Sequence, residues 1–245
     1  GCSGRFWHSR RADGTVLGPR PCLRGCASPD KLLLSLPQHE PQNGPVLSVI
    51  RIANQRAIIE RRILAAAILD AVAELGADKA RPRVVELLRH ALEAGRAEIA
   101  RRLAEKPSAG TECAAAQAFL VDQLIRLIHD HVVGNVYRSS NRSTGERIAI
   151  LAVGGYGRGE MAPHSDVDIA FVTPAKQTSW CEQVIEAMLY FLWDLGLKVG
   201  QSSRSLDEMV RMARSDLTIR TALLEGRYVW GDQDPRATAS PSRRT

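Results

Sequence analysis

What most constrains this chain of 245 residues is an uncharged run, Ile148 to Val153, followed by four glycines in six residues and then Ser165-Asp166-Val167-Asp168. Six consecutive apolar residues fit a strand covered on both faces better than one that alternates between core and water. Gly154, Gly155, Gly157 and Gly159 come next, and glycine leaves backbone N–H groups bare where a phosphate can approach. Neither common nucleotide loop is spelled here. Counted from Gly155, the dinucleotide fingerprint needs glycine where Glu160 stands, and no Gly-Lys-Ser/Thr follows as a P-loop requires.

Asp166 and Asp168 lead into the apolar Ile169 to Val172, which places them at the start of a second strand. Residues two apart on a strand face the same side, so both carboxylates project together while Val167 packs inward. Two such charges raise one another's pKa, and a divalent cation with a preference for hard oxygen ligands removes that penalty. Paired carboxylates beside a phosphate-binding turn suit two-metal phosphoryl or nucleotidyl transfer. The expected catalytic residues and Mg²⁺ ligands are therefore Asp166 and Asp168. Gly154, Gly155, Arg158 and Ser165 are expected to hold the nucleotide, with an ion pair to Glu160 an equal alternative for Arg158. A third carboxylate is not identified. Asp194, Asp207 and Asp216 are available, and each also suits a helix cap or the surface.

Upstream of the strand the periodicity is helical. Residues 50–76 are rich in helix formers and stop at Gly76; a second helix is expected over about 83–105 and a third over about 114–133. Downstream, a helix is expected over 180–195 and a short strand over 197–199. Ser205 with Glu208 reads as a capping box, and Asp216 as the cap of a last helix reaching about Val229. The expected class is α+β, with a helical region over 46–134, a core over 135–232, and disorder in 1–45 and 233–245. Those two ends are Pro-, Ser- and Arg-rich and offer little apolar surface to offset ordering entropy.

Charge and cysteine exclude other classes. The net charge is +6, but residues 1–45 supply three of those charges and residues 233–245 two, so the middle carries no concentrated basic face for nucleic acid. No apolar run is long enough to span a bilayer, so no membrane partner is expected. Five cysteines without metal-ligand spacing read as free thiols of a reducing, cytoplasmic compartment.

The string Gly154-Gly155-Tyr156-Gly157-Arg158-Gly159-Glu160-Met161-Ala162-Pro163-His164-Ser165-Asp166-Val167-Asp168-Ile169 resembles the nucleotidyltransferase motif of the bifunctional uridylyltransferase/uridylyl-removing enzymes. The likeness runs from about Val46 to Asp232, through residues 124–138, 191–209 and 213–232. It implies a DNA polymerase beta-like nucleotidyltransferase fold, with UTP as substrate, Mg²⁺ as cofactor and a tyrosine of the PII nitrogen-signalling protein as acceptor, in a bacterial cytoplasm. Two related readings stand beside it: an adenylyltransferase of the glutamine synthetase type, and a remnant that binds nucleotide or protein without catalysis. Gln201 departs from the family, which shows histidine there. His129-Asp130 lacks the partners of the family's hydrolase centre and reads as structural. The unusual ends, the start without Met and the missing hydrolase and glutamine-sensing domains lead to the expectation of a truncated form.

Overall fold

The structure is a computed structural model that describes residues 50–138, 146–175 and 177–232. The disorder expected of the two ends, and Cys2, Cys22 and Cys26, lie outside the described residues.

The first half is helical: α1 (Gln55–Ile58), α2 (Arg61–Leu75), α3 (Arg81–Glu105) and α4 (Gly110–His131). The single helix expected over 50–76 is broken at Ile59, which is extended with φ −158. Neighbouring side chains on a helix diverge by about 100°, so Ile58 and Ile59 cannot both point at one core; the extended residue lets both be buried. Arg102 fixes this entry by donating to the carbonyls of Ala53 and Asn54 at 2.7 and 2.9 Å. Gly76, at φ 81, ends α2 in a conformation that favours glycine. Helix α4 is the hub. It buries Leu120, Val121, Leu124, Ile125 and Ile128 against α2, α3 and the helix and strand that follow, then widens into one π turn over Val132–Val136.

A four-stranded sheet follows: β1 (Ala149–Ala152), β2 (Val167–Thr173), β3 (Val199–Ser205) and β4 (Arg227–Gly231), in the order β3-β2-β1-β4. β1 runs antiparallel to both β2 and β4, whereas β2 and β3 are parallel and joined through α6 (Ser179–Asp194). Apolar residues on both faces explain the uninterrupted run of β1. Ile150 and Ala152 enter the main core with Ile169, Phe171 and Val229, while Ala149 joins Ala170, Val172 and Met209 in a smaller cluster on the other face. That smaller cluster is covered by α7 (Leu206–Ser215) and α8 (Leu217–Leu224).

Two expectations are corrected. The strand expected at 197–199 begins at Val199 and runs to Ser205, because parallel pairing with β2, not apolarity, defines it. The last helix does not reach Val229. It stops at Leu224, and Arg227–Gly231 pairs with β1 instead. The capping box of α7 is present: Ser205 Oγ accepts from Glu208 N–H, and the Glu208 carboxylate accepts from Ser205 N–H. Asp216 caps α8 by accepting from Thr218 and Ile219 N–H. Asp216→Ala should therefore cost about 1 kcal/mol of stability, measurable by denaturant unfolding.

Candidate functional site

The turn between β1 and β2 carries the site. Its four glycines do not form an open loop. Gly154–Gly157 is one helical turn, α5, entered through Gly154 at φ 60. A side chain at Gly157 would place its Cβ 2.3 Å from the carbonyl oxygen of Glu225, so only glycine allows the turn to lie against the end of α8. Tyr156 points the other way, into the core. Its hydroxyl donates to Asp122 at 2.6 Å, and Arg227 grips the same carboxylate at 2.7 and 3.1 Å while donating to the carbonyls of Tyr156 and Gly157. Burial, with the Asp122 charge beside it, pushes the Tyr156 phenol well above its ordinary value, so it stays a neutral donor. α4 and β4 thus clamp the turn from two sides.

Asp168 is the second residue of β2, and Asp166 lies just before that strand. Val167 and Ile169 are buried, whereas Asp166 is exposed and Asp168 half-buried. Among the described residues neither carboxylate has a hydrogen-bond or ion-pair partner, so their lone pairs are free. Partial burial, then the charge of Asp166, raises the Asp168 carboxyl above its usual range. The space around it is kept by Gly200, its register partner on β3, where a Cβ would stand 2.2 Å from Oδ1; a Cβ at Gly154 would make ordinary contact with Oδ2, at 3.5 Å. Two uncrowded, unpaired carboxylates that destabilise each other are a donor set that fits Mg²⁺, which takes one or two carboxylates and completes its shell with water and substrate phosphate.

The other expected residues divide. Gly154 stands beside Asp168, as its Cβ distance shows, and Gly155 lies next to Arg158, whose Nη2 a Cβ would meet at 3.7 Å. Arg158 is engaged by Glu160 at 3.1 Å and Glu225 at 2.9 Å. Ser165 Oγ donates to the Ala162 carbonyl, within the turn that leads to Asp166. Among the described residues no third carboxylate joins the pair: Asp194 pairs with Arg81, Asp216 caps α8, and Asp207 sits in the first turn of α7. Among the described residues no group of three or more His, Cys, Asp or Glu side chains gathers as a metal site. His129-Asp130 has a structural part, since Asp130 accepts from Trp230 Nε1 and from Arg61, joining α4 to β4 and α2.

Gly200 and the Asp122–Tyr156–Arg227 cluster were not among the residues singled out by sequence. Gly200 matters only through its register with Asp168, which no local pattern reports. A signal for Asp122 existed: it interrupts the apolar stripe of α4, where an acid must find a partner. Gly200→Ala should push the Asp168 carboxylate aside. The expected loss is about 10–100-fold in divalent-cation affinity, read as a weaker Mg²⁺-induced rise of the thermal midpoint.

Residues 137–226 match the nucleotidyltransferase domain family, so this part of the chain is a nucleotidyltransferase domain with the mixed helix-and-strand fold described above. Over 184 residues, 75% of this chain, it is 82% identical to the bifunctional uridylyltransferase/uridylyl-removing enzyme of Novosphingobium aromaticivorans. It is 64% identical over 184 residues to that of Erythrobacter litoralis, and 48% identical over 188 residues to that of Rhodospirillum rubrum. The chain spans about a fifth of the length of these curated relatives, 20% in each case. The likeness read from the glycine turn and its aspartates is therefore found over three quarters of the chain. Among the described residues no helix is long and apolar enough to cross a membrane.

Proposed function

We propose, from a chain with a nucleotidyltransferase domain over residues 137–226, that it transfers UMP from UTP to a tyrosine of the PII nitrogen-regulatory protein. The observation that carries this reading is the pair of carboxylates, Asp166 and Asp168, without a partner among the described residues and held beside the glycine turn at the ends of two adjacent strands. The name borne by the similar enzymes supports the uridylyl group. Mg²⁺ held by Asp166 and Asp168 would supply charge neutralisation on the triphosphate and a more acidic acceptor hydroxyl.

The chain's own residues do the positioning. The antiparallel pairing of β1 and β2 sets Gly154, just past the end of β1, beside Asp168 on β2, and the clamp on Tyr156 keeps the turn from drifting away from the carboxylates. Gly154 and Gly155 offer backbone N–H groups to the phosphates without a side chain in the way. Arg158 adds positive charge at the same turn, and its bonds to Glu160 and Glu225 hold it there while tempering that charge. An acceptor phenolate placed in line with the α-phosphorus then forms the new P–O bond as pyrophosphate leaves.

The test is incubation with α-labelled UTP, Mg²⁺ and PII. Label on PII that disappears on metal chelation is the expected result. Transfer from ATP instead of UTP would support the adenylyl reading, and UTP binding without transfer would overturn the enzymatic one.

A further inference from the structure

A cavity of about 720 Å³ lies between α3, α4 and residues 160–164, the segment that leads into Asp166. Its wall is mostly apolar, with Ile99, Leu103, Met161 and Pro163 among the lining side chains. Two polar groups break that wall, one from each helix. Gln117 of α4 is 5% exposed and its amide has no hydrogen-bond partner among the described residues. Arg96 of α3 is half-buried, and its Nε is enclosed without a partner. Buried polar groups are almost always paired in folded proteins, so the enclosed Arg96 Nε, with the unpaired Gln117 amide on the same cavity wall, calls for an explanation.

We propose that this cavity binds a small amphipathic carboxylate. The volume lies within the usual span of ligand sites. Arg96 only donates and is permanently charged, and the Gln117 amide has a donor to offer, so the complementary head is an anion with two acceptor oxygens. The apolar wall calls for a hydrocarbon body on that head. Water alone would satisfy the two donors but leave the apolar side chains wet. Leu103, Pro163 and His164 are exposed, which puts the mouth on their side, and the nearby Glu160 is engaged by Arg158. This proposal stands apart from the nucleotidyl-transfer reading, because none of its contacts uses the paired aspartates.

Isothermal titration calorimetry of the full chain with octanoate, without nucleotide or Mg²⁺, tests it. Octanoate should bind one-to-one with a Kd below about 1 mM, and octan-1-ol and butyrate each about tenfold more weakly. Arg96→Met should weaken octanoate about tenfold and leave octan-1-ol unchanged. Leu103→Trp, at an exposed position on the rim, should fill the cavity and abolish binding while the thermal midpoint holds. Equal binding of octanoate and octan-1-ol would overturn the carboxylate assignment. Binding that survives both substitutions, or no saturable heat from a folded chain up to about 10 mM octanoate, would overturn the site.

Discussion

Asp168→Asn is expected to stop nucleotidyl transfer while leaving the protein at least as stable as before. The first half follows from the loss of a metal ligand, which costs several kcal/mol of charge stabilisation, or about 10³-fold in rate. The second half follows from the Asp168 carboxyl, raised by burial and by Asp166. A carboxyl whose pKa is higher in the folded protein than in the unfolded chain adds stability below its unfolded value, about 3.9, and that contribution is lost as pH rises through the folded value. At neutral pH the ionised pair therefore works against folding, and an amide relieves it. Without divalent cation, the thermal midpoint of Asp168→Asn should rise relative to that of the unsubstituted chain as pH increases through this window, since the difference between the two isolates the Asp168 contribution. Mg²⁺ should raise the midpoint of the unsubstituted chain and not of the variant. A variant that melts much earlier would show that Asp168 is structural, and one that transfers at the full rate would remove it from the site.

The second large effect is expected at Asp122, on the other side of the turn. Asp122→Ala leaves the Tyr156 hydroxyl and the Arg227 guanidinium without their shared acceptor. Breaking a buried pair from one side costs about 3–5 kcal/mol. The lower end applies here, since about a third of the Arg227 side chain remains in water, at 34% exposure. About 3 kcal/mol lowers the thermal midpoint of a chain this size by roughly 6–12 °C. Replacing both partners, Asp122→Leu with Arg227→Met, should cost less than Asp122→Ala alone, because no buried charge is then stranded. Thermal denaturation of the two proteins decides it. If the double variant is the less stable, the cluster is held together by more than this pair.

Local patterns made the site's neighbourhood legible, and distant pairings hid the rest. The uninterrupted Ile148–Val153 announced a strand covered on both faces, and the Ser205–Glu208 spacing announced the start of α7. Both signals act within a few residues, which is the range that a linear reading resolves. The end of α8 escapes a linear reading because Leu223 to Trp230 is apolar enough for either helix or strand. Hydrogen bonds to β1, eighty residues upstream at Ile150↔Trp230, decide the matter. β3 outruns its apolar residues for the opposite reason: Gln201-Ser202-Ser203-Arg204 has the composition of a loop, and only its place beside β2 makes it a strand. Arg158 illustrates the limit for side chains. Glu160 was visible two residues away, but Glu225 reaches it only because α8 ends against the glycine turn.

The position of β4 also dictates when the site can come into being. Arg227 follows Gly157 by 70 residues, and Asp232 closes on Ile148 across 84. On a ribosome adding about 5–20 residues per second, the glycine turn emerges about 4–14 s before the strand that clamps it. During that interval β1 is an open edge with apolar side chains on both faces, the kind of surface that pairs with another chain. Newly made chains are thus most exposed to mispairing just before they acquire their chemistry, and any slowing of synthesis between residues 157 and 227 lengthens that exposure.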